Sequence, residues 1–317
     1  MPANSRLRWP ELPSQVQGWA EAVLGAPIAR VVHANGGFSP GTTDALFTAD
    51  GRAAFLKAVH PSINAFSASL LRAEGEVLAA LPAGAPVAEL IDRHDEGPDG
   101  WVALLLQHVE GAHPSLPWTE NSIRGVLDQL HRFATRMTPA PIEGLQSVGD
   151  ALADWEAFWP TLGSGGDLPP WLSTRVGRLH DLVRLAVDHL DGDTLLHLDL
   201  RADNLLLRPD GSLVIIDWPW AVRGAAWVDP TLLCIEFISS GDDSVRPDEW
   251  IDHVADQHGV PAAALVGLLV MALGFFETMT RLPPPPGLPT VRAFQRFQAD
   301  ALIAWLRTSR HATHLQG

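Results

Sequence analysis

The sequence predicts an α+β chain in which a small antiparallel sheet comes first and a larger, mainly helical part follows. Short apolar runs divided by Asp-Gly and glycine-rich turns gather before residue 110. Apolar positions three and four residues apart dominate from residue 119 onward. Inside the helical part, Leu195–Asp229 breaks into three short strand-like runs with polar residues at their ends, which is how a scaffold presents groups to a ligand.

Taken in order, residues 2–13 are a loose lead-in, and residues 12–24 form an amphipathic helix through Leu12, Val16, Trp19, Ala20 and Val23. Strands follow at Ile28–Ala34, Asp44–Thr48 and Ala53–Val59, the last two joined by the hairpin turn Ala49-Asp50-Gly51. The first two are joined by the glycine-rich stretch Asn35–Thr43, where Gly36, Gly37 and Gly41, with Ser39 among them, let backbone approach phosphates. Thr42 stands where a Walker A loop requires Lys, which disfavours a P-loop NTPase. Pro61–Leu81 reads as a helix with Ser62 as N-cap, and Val87–Asp92 with Trp101–Leu106 complete five strands. Helices are then expected at 119–136, ending in Leu130-His131, at 148–160 and at Trp171–Leu190. Leu195–His197, Leu205–Leu207 and Leu213–Ile216 are short strands, the last two a hairpin about Arg208–Ser212. The remainder reads as helices around Leu232–Phe237, Glu249–Gly259, Pro261–Leu282 and Val291–Arg307, with Pro283–Pro286 a rigid linker.

Composition narrows the function. The net charge of −15 argues against nucleic acid or an anionic membrane as partner and suits a cationic ligand, and residues 112–317 carry −10 of it. One cysteine, Cys234, excludes an internal disulfide and a zinc site built on cysteine pairs. No charged n-region and apolar h-region open the chain, and the longest apolar run, Ala262–Phe276, is too short to span a bilayer, so a cytoplasmic protein is expected. Of 22 basic residues 21 are Arg, and the lone lysine, Lys57, marks a place where a compact ammonium is required and a planar guanidinium would not serve.

The chemistry concentrates at His197, Asp199, Asn204 and Asp217. Asn204 and Asp217 supply hard oxygens suited to magnesium beside bound phosphates, which leaves Asp199 to accept a proton. His197-x-Asp199-x4-Asn204 matches the H-x-D-x4-N loop, and Ile216-Asp217-Trp218 sits where protein kinases carry Asp-Phe-Gly. With Lys57 on a strand, Gln107-His-Val109-Glu-Gly111 and Gly224-Ala-Ala-Trp-Val-Asp229, the chain resembles the aminoglycoside phosphotransferase family from about residue 28 to the last helices.

That resemblance implies a two-lobed protein-kinase-like α+β fold, with a nucleotide-clamping lobe over residues 1–110 and a catalytic and acceptor-binding lobe over 111–317, and ATP or GTP with magnesium as cofactors. It implies that Glu74, or alternatively Glu76, holds Lys57 against the phosphates and that the main chain about Gln107 and Val109 receives the base. Asn204 and Asp217 would hold magnesium, Asp199 would take the acceptor proton, and His197 would stabilise the loop by bonding backbone; His131 reads as structural. Leu198 stands where many members have Gly, and Arg201-Ala202-Asp203 replaces a common His-Pro-Gly. The segment after Asp217 is short and lacks an Ala-Pro-Glu signal, which favours a small-molecule acceptor over a polypeptide. Three readings follow. In an aminoglycoside-type antibiotic phosphotransferase, Asp154, Glu156, Glu236, Asp242, Asp243 and Glu277 would bind ammonium groups. A metabolic kinase would act on an amino alcohol, a sugar or another hydroxylated metabolite. A nucleotide-binding pseudokinase is disfavoured by the full set of Lys57, Glu74, Asp199, Asn204 and Asp217.

Overall fold

A computed structural model describes residues 7–34, 40–166, 168–285 and 288–315; Gly36, Gly37, Ser39 and Pro286 lie outside the described residues. In chain order the elements are α1 (Ser14–Leu24), β1 (Ile28–His33), β2 (Thr42–Thr48), β3 (Ala53–Val59), α2 (Ala65–Ala80), β4 (Leu90–Asp95), β5 (Val102–Gln107) and α3 (Glu120–Arg136). Next come α4 (Val148–Ala151), α5 (Ala153–Glu156), α6 (Phe158–Gly165), α7 (Pro170–Ser173), α8 (Val176–Val187), β6 (Thr194–Leu196), β7 (Leu205–Leu207), β8 (Leu213–Ile215) and β9 (Val222–Gly224). The chain closes with α9 (Val228–Ser240), α10 (Pro247–His258), α11 (Ala262–Met279) and α12 (Val291–Leu306).

The chain forms two compact units. The first takes residues up to His113 and adds Asp203–Trp220 and Pro284–Val291. Its antiparallel sheet runs β1-β2-β3-β5-β4. Trp9, Leu12, Val16, Ala20 and Leu24 of the lead-in and α1 pack with Leu46, Leu56 and Leu105 of the sheet to make one core. The β7–β8 hairpin belongs here because Val87 bridges Ile215 and Ala112 bridges Leu207, which pairs main chain 128 and 95 residues apart in sequence. Gly41 opens β2 where an added Cβ would lie 2.5 Å from the Ala58 carbonyl oxygen, so the strand spacing itself demands glycine.

Several boundaries differ from the sequence reading, each for a local reason. The fourth strand is Leu90–Asp95 rather than Val87–Asp92, because Val87 is spent on Ile215 while Leu90 to Asp95 pair with β5. Asn64, not Ser62, caps α2 by accepting the Ser67 N–H at 2.8 Å; the Ser62 N–H goes to the His60 ring at 3.1 Å. The helix expected over 148–160 is three short pieces, α4, α5 and α6, and Pro160 sits in the first turn of the third, where its missing N–H costs nothing. Trp171–Leu190 likewise divides into α7 and α8 at Thr174 and Arg175.

The second unit takes residues 114–202, 221–283 and 292–317. Its centre is α11, packed on α8, α9 and α6. At 18 residues this helix is longer than the apolar run suggested and reaches the length and hydropathy that can cross a membrane, yet 72% of it is buried inside the protein. Gly267 lets α11 lie against α8, since a Cβ there would meet the Leu182 carbonyl oxygen at 2.1 Å. Cys234 is a buried residue of α9, and burial pushes its thiol up to about 12.

Candidate active site

The first unit gathers Lys57, Glu74 and Asp217. Alternation along β3 places Lys57 on the α2 side of the sheet. Its Nζ donates to Glu74 Oε1 at 2.7 Å, to Glu74 Oε2 at 2.8 Å and to Asp217 Oδ1 at 2.7 Å. Glu74 is buried on α2 whereas Glu76 is exposed, so the structure decides between the two carboxylates the sequence left open. Glu74 Oε1 also accepts the Trp218 N–H at 3.4 Å and so grips the backbone beside Asp217. Burial opposes the Lys57 charge, but the Asp217 and Glu74 carboxylates overcome it and hold the ammonium above its ordinary value. Burial also raises Glu74, with Asp217 adding to the rise and Lys57 opposing it. The sequence did not show that one ammonium ties both carboxylates together.

Asp217 adopts a left-handed backbone, φ 69°, at the end of the β7–β8 hairpin. The Ile216 N–H donates to the Asn204 carbonyl at 3.0 Å, which sets the Asn204 and Asp217 positions at one end of that hairpin. Their amide and carboxylate oxygens are hard donors of the kind magnesium takes. Among the described residues no group of three or more His, Cys, Asp or Glu could hold a metal ion. Of the residues read as a hinge, Gln107 spends its N–H on the Glu89 carbonyl at 2.7 Å, and Val109 lies half-buried two residues beyond.

The second unit builds the loop that carries Asp199. Asp229, at the start of α9, accepts the His197 N–H at 2.7 Å and the Leu198 N–H at 2.9 Å. Burial raises the Asp229 carboxyl, with the two N–H groups and the His197 ring opposing the rise. His197 is fully buried, and its Nδ1 accepts the Asp199 N–H at 3.2 Å. Leu198, the residue that replaces a glycine, sits at φ 66°, the conformation for which glycine is the natural choice. At the far end of the loop, the Ala202 N–H donates to Glu236 Oε2 at 2.8 Å, and the Trp118 indole donates to the same oxygen at 3.2 Å. Arg201 Nε lies 3.6 Å from Asp199 Oδ1, and its guanidinium rests over the Phe294 ring of α12.

Two carboxylates expected to bind acceptor ammonium groups have other work. Glu236 anchors the loop backbone as just described. Glu277 is 1% exposed and holds Arg281 at 3.0 Å and Arg296 at 2.6 Å. Asp154 is exposed and Glu156 half-buried. Asp229, which the sequence offered only as part of a Gly…Trp…Asp element, is the site residue that sequence reasoning gave no role; its signal was that element alone.

The fold is shared with known phosphotransferases. A thermostable mutant of aminoglycoside phosphotransferase APH(4)-Ia, in ternary complex with AMP-PNP and hygromycin B, superposes with a TM-score of 0.59 at 14% identity, covering 92% of this chain and 98% of that one. Amicoumacin kinase hAmiN, in complex with AMP-PNP, Ca2+ and Ami, gives 0.54 at 13% identity, covering 92% and 94%. Choline kinase LicA from Streptococcus pneumoniae gives 0.53 at 15% identity, covering 92% and 100%. No curated protein matches at the level of sequence. The description "Phosphotransferase enzyme family" belongs to a family model that matches residues 37–250, about two thirds of the chain and both halves of the machinery above, and the chain therefore belongs to the phosphotransferase enzyme family.

Proposed function

We propose that this protein transfers the γ-phosphoryl group of ATP or GTP to a hydroxyl of a small molecule. The observation that carries the reading is the half-buried Lys57 ammonium, held at once by Glu74 and Asp217. Lys57 positions the α- and β-phosphates. Asn204 and Asp217 would hold magnesium, whose charge neutralises phosphate oxygens. Asp199 orients the acceptor hydroxyl and receives its proton as the oxygen bonds to the γ-phosphorus and the bond to the nucleoside diphosphate breaks. Catalysis of this kind is chiefly positioning and charge neutralisation, which suits a loop pinned by Asp229 and Glu236. His197 holds the loop through its Nδ1.

For the acceptor, two classes stand: an aminoglycoside-type antibiotic and a hydroxylated metabolite. The occupation of Glu236 and Glu277 by groups of the protein itself favours the metabolite. The test is release of ADP or GDP with magnesium across aminoglycosides, amino alcohols, sugars and hydroxy acids. An acceptor that stimulates release is expected, and Asp199→Ala is expected to lower that rate by about 10²–10⁴-fold. Nucleotide binding without stimulation by any acceptor would refute the transfer reading and leave a nucleotide-binding pseudokinase.

A further inference from the structure

We infer that Arg201 sets the charge of the acceptor, selecting a neutral or anionic alcohol and rejecting one that carries an ammonium beside the reacting hydroxyl. This rests on Asp199 being the group that receives the acceptor proton. A bare carboxylate at that point would present a net negative charge and attract amines. Here the Arg201 guanidinium lies 3.6 Å from the Asp199 carboxylate and is only 15% exposed, so the loop presents a balanced pair instead. Arginine cannot shed its proton at any working pH, so the balance is permanent. The cation is held in place from three sides: Asp229 pins the backbone ahead of it, Glu236 pins the residue after it, and Phe294 of α12 lies under its plane. Phe294 thereby brings the last long helix into the acceptor end of the site.

A hydroxyl within hydrogen-bond reach of Asp199 puts any adjacent ammonium roughly 6 Å from the guanidinium. At an effective dielectric between that of the protein surface and that of water, repulsion over this distance offsets the pull of Asp199 and makes binding about tenfold weaker than in the same loop without the guanidinium. Glu236 and Glu277 do not compensate, being spent on Ala202 and Trp118 and on Arg281 and Arg296.

The experiment compares the full-length wild type with Arg201→Gln and Arg201→Lys, in the presence of AMP-PNP and magnesium, by calorimetric titration with glucose, glucosamine and kanamycin. Glucose and glucosamine differ at one position, an ammonium in place of a hydroxyl, so their affinity ratio reads the charge effect and cancels changes in folding. The expected result is that Arg201→Gln shifts the ratio about tenfold towards glucosamine and strengthens kanamycin binding by a similar factor, while Arg201→Lys stays at the wild-type ratio. No gain of glucosamine or kanamycin binding in Arg201→Gln overturns the inference, as does a wild type that prefers glucosamine. ADP release, measured separately, reads the transfer reaction itself. Failure there with a ratio that still responds to Arg201→Gln would sink the phosphotransfer reading and not the charge selection.

Discussion

Replacing Lys57 with Met removes the cation from between two carboxylates and keeps a chain of similar length. Glu74 is 2% exposed and Asp217 43%, so it is Glu74 that suffers. Breaking a buried pair by removing one partner costs roughly 3–5 kcal/mol, because a buried charge is left uncompensated. Part of that cost is escaped if Glu74 binds a proton, which its already raised pKa favours. The signs then differ between the two proteins. In the wild type, Lys57 is raised above its ordinary value near 10.5, so its stabilisation is fully present below that value and is lost only as pH climbs through the still higher folded one. In Lys57→Met, the raised Glu74 is protonated and tolerated below its ordinary value of 4.5, and the penalty grows as pH rises above that value until it is complete at the higher folded one. The melting gap between the two proteins should therefore be smallest at pH 4.5 and widen by about 6–12 °C towards pH 8, taking ~3 kcal/mol at ~2–4 °C per kcal/mol. Scanning calorimetry from pH 4.5 to pH 8 measures it. A difference that is the same at both ends, or below about 2 °C throughout, would refute the account of Glu74 as a buried carboxylate stabilised by Lys57.

Two further substitutions probe other parts of the structure. His258 of α10 packs edge-on against His131 at 5.6 Å between ring centroids, and burial, aided by His131 and His253, lowers its pKa to about 4. The folded state thus prefers the neutral ring, stability should fall as pH drops from about 6.5 towards 4, and His258→Gln should flatten that acid limb in a thermal melt; an unchanged limb would contradict it. Leu198→Gly should relieve a left-handed leucine and raise stability by about 1 kcal/mol, read as a shift in urea midpoint with unchanged slope. A loss of stability there would show that the Leu198 side chain contributes more by packing than its backbone costs.

The chain itself determined the order of the elements, the strand-borne Lys57, the loop His197–Asn204 and the carboxylate of Asp217, because each is written in residue type and local spacing: hairpin turns, helical periodicity and a motif of eight consecutive residues. Only the tertiary structure decided what depends on groups distant in sequence. Asp217 meets Lys57 across 160 residues, Glu74 is chosen over Glu76 by which face of α2 is buried, and Asp229 reaches back about 30 residues to hold the loop. Helix breaks at 152 and 157 and the displaced fourth strand were also beyond local reading, since main-chain pairing of Val87 with Ile215 outweighs the pattern of the segment itself. Glu236 and Glu277 show the limit most plainly. A carboxylate reads in sequence as a group open to a ligand, whereas burial obliges it to find its partners within the protein, and only the folded chain brings Ala202, Trp118, Arg281 and Arg296 to do so.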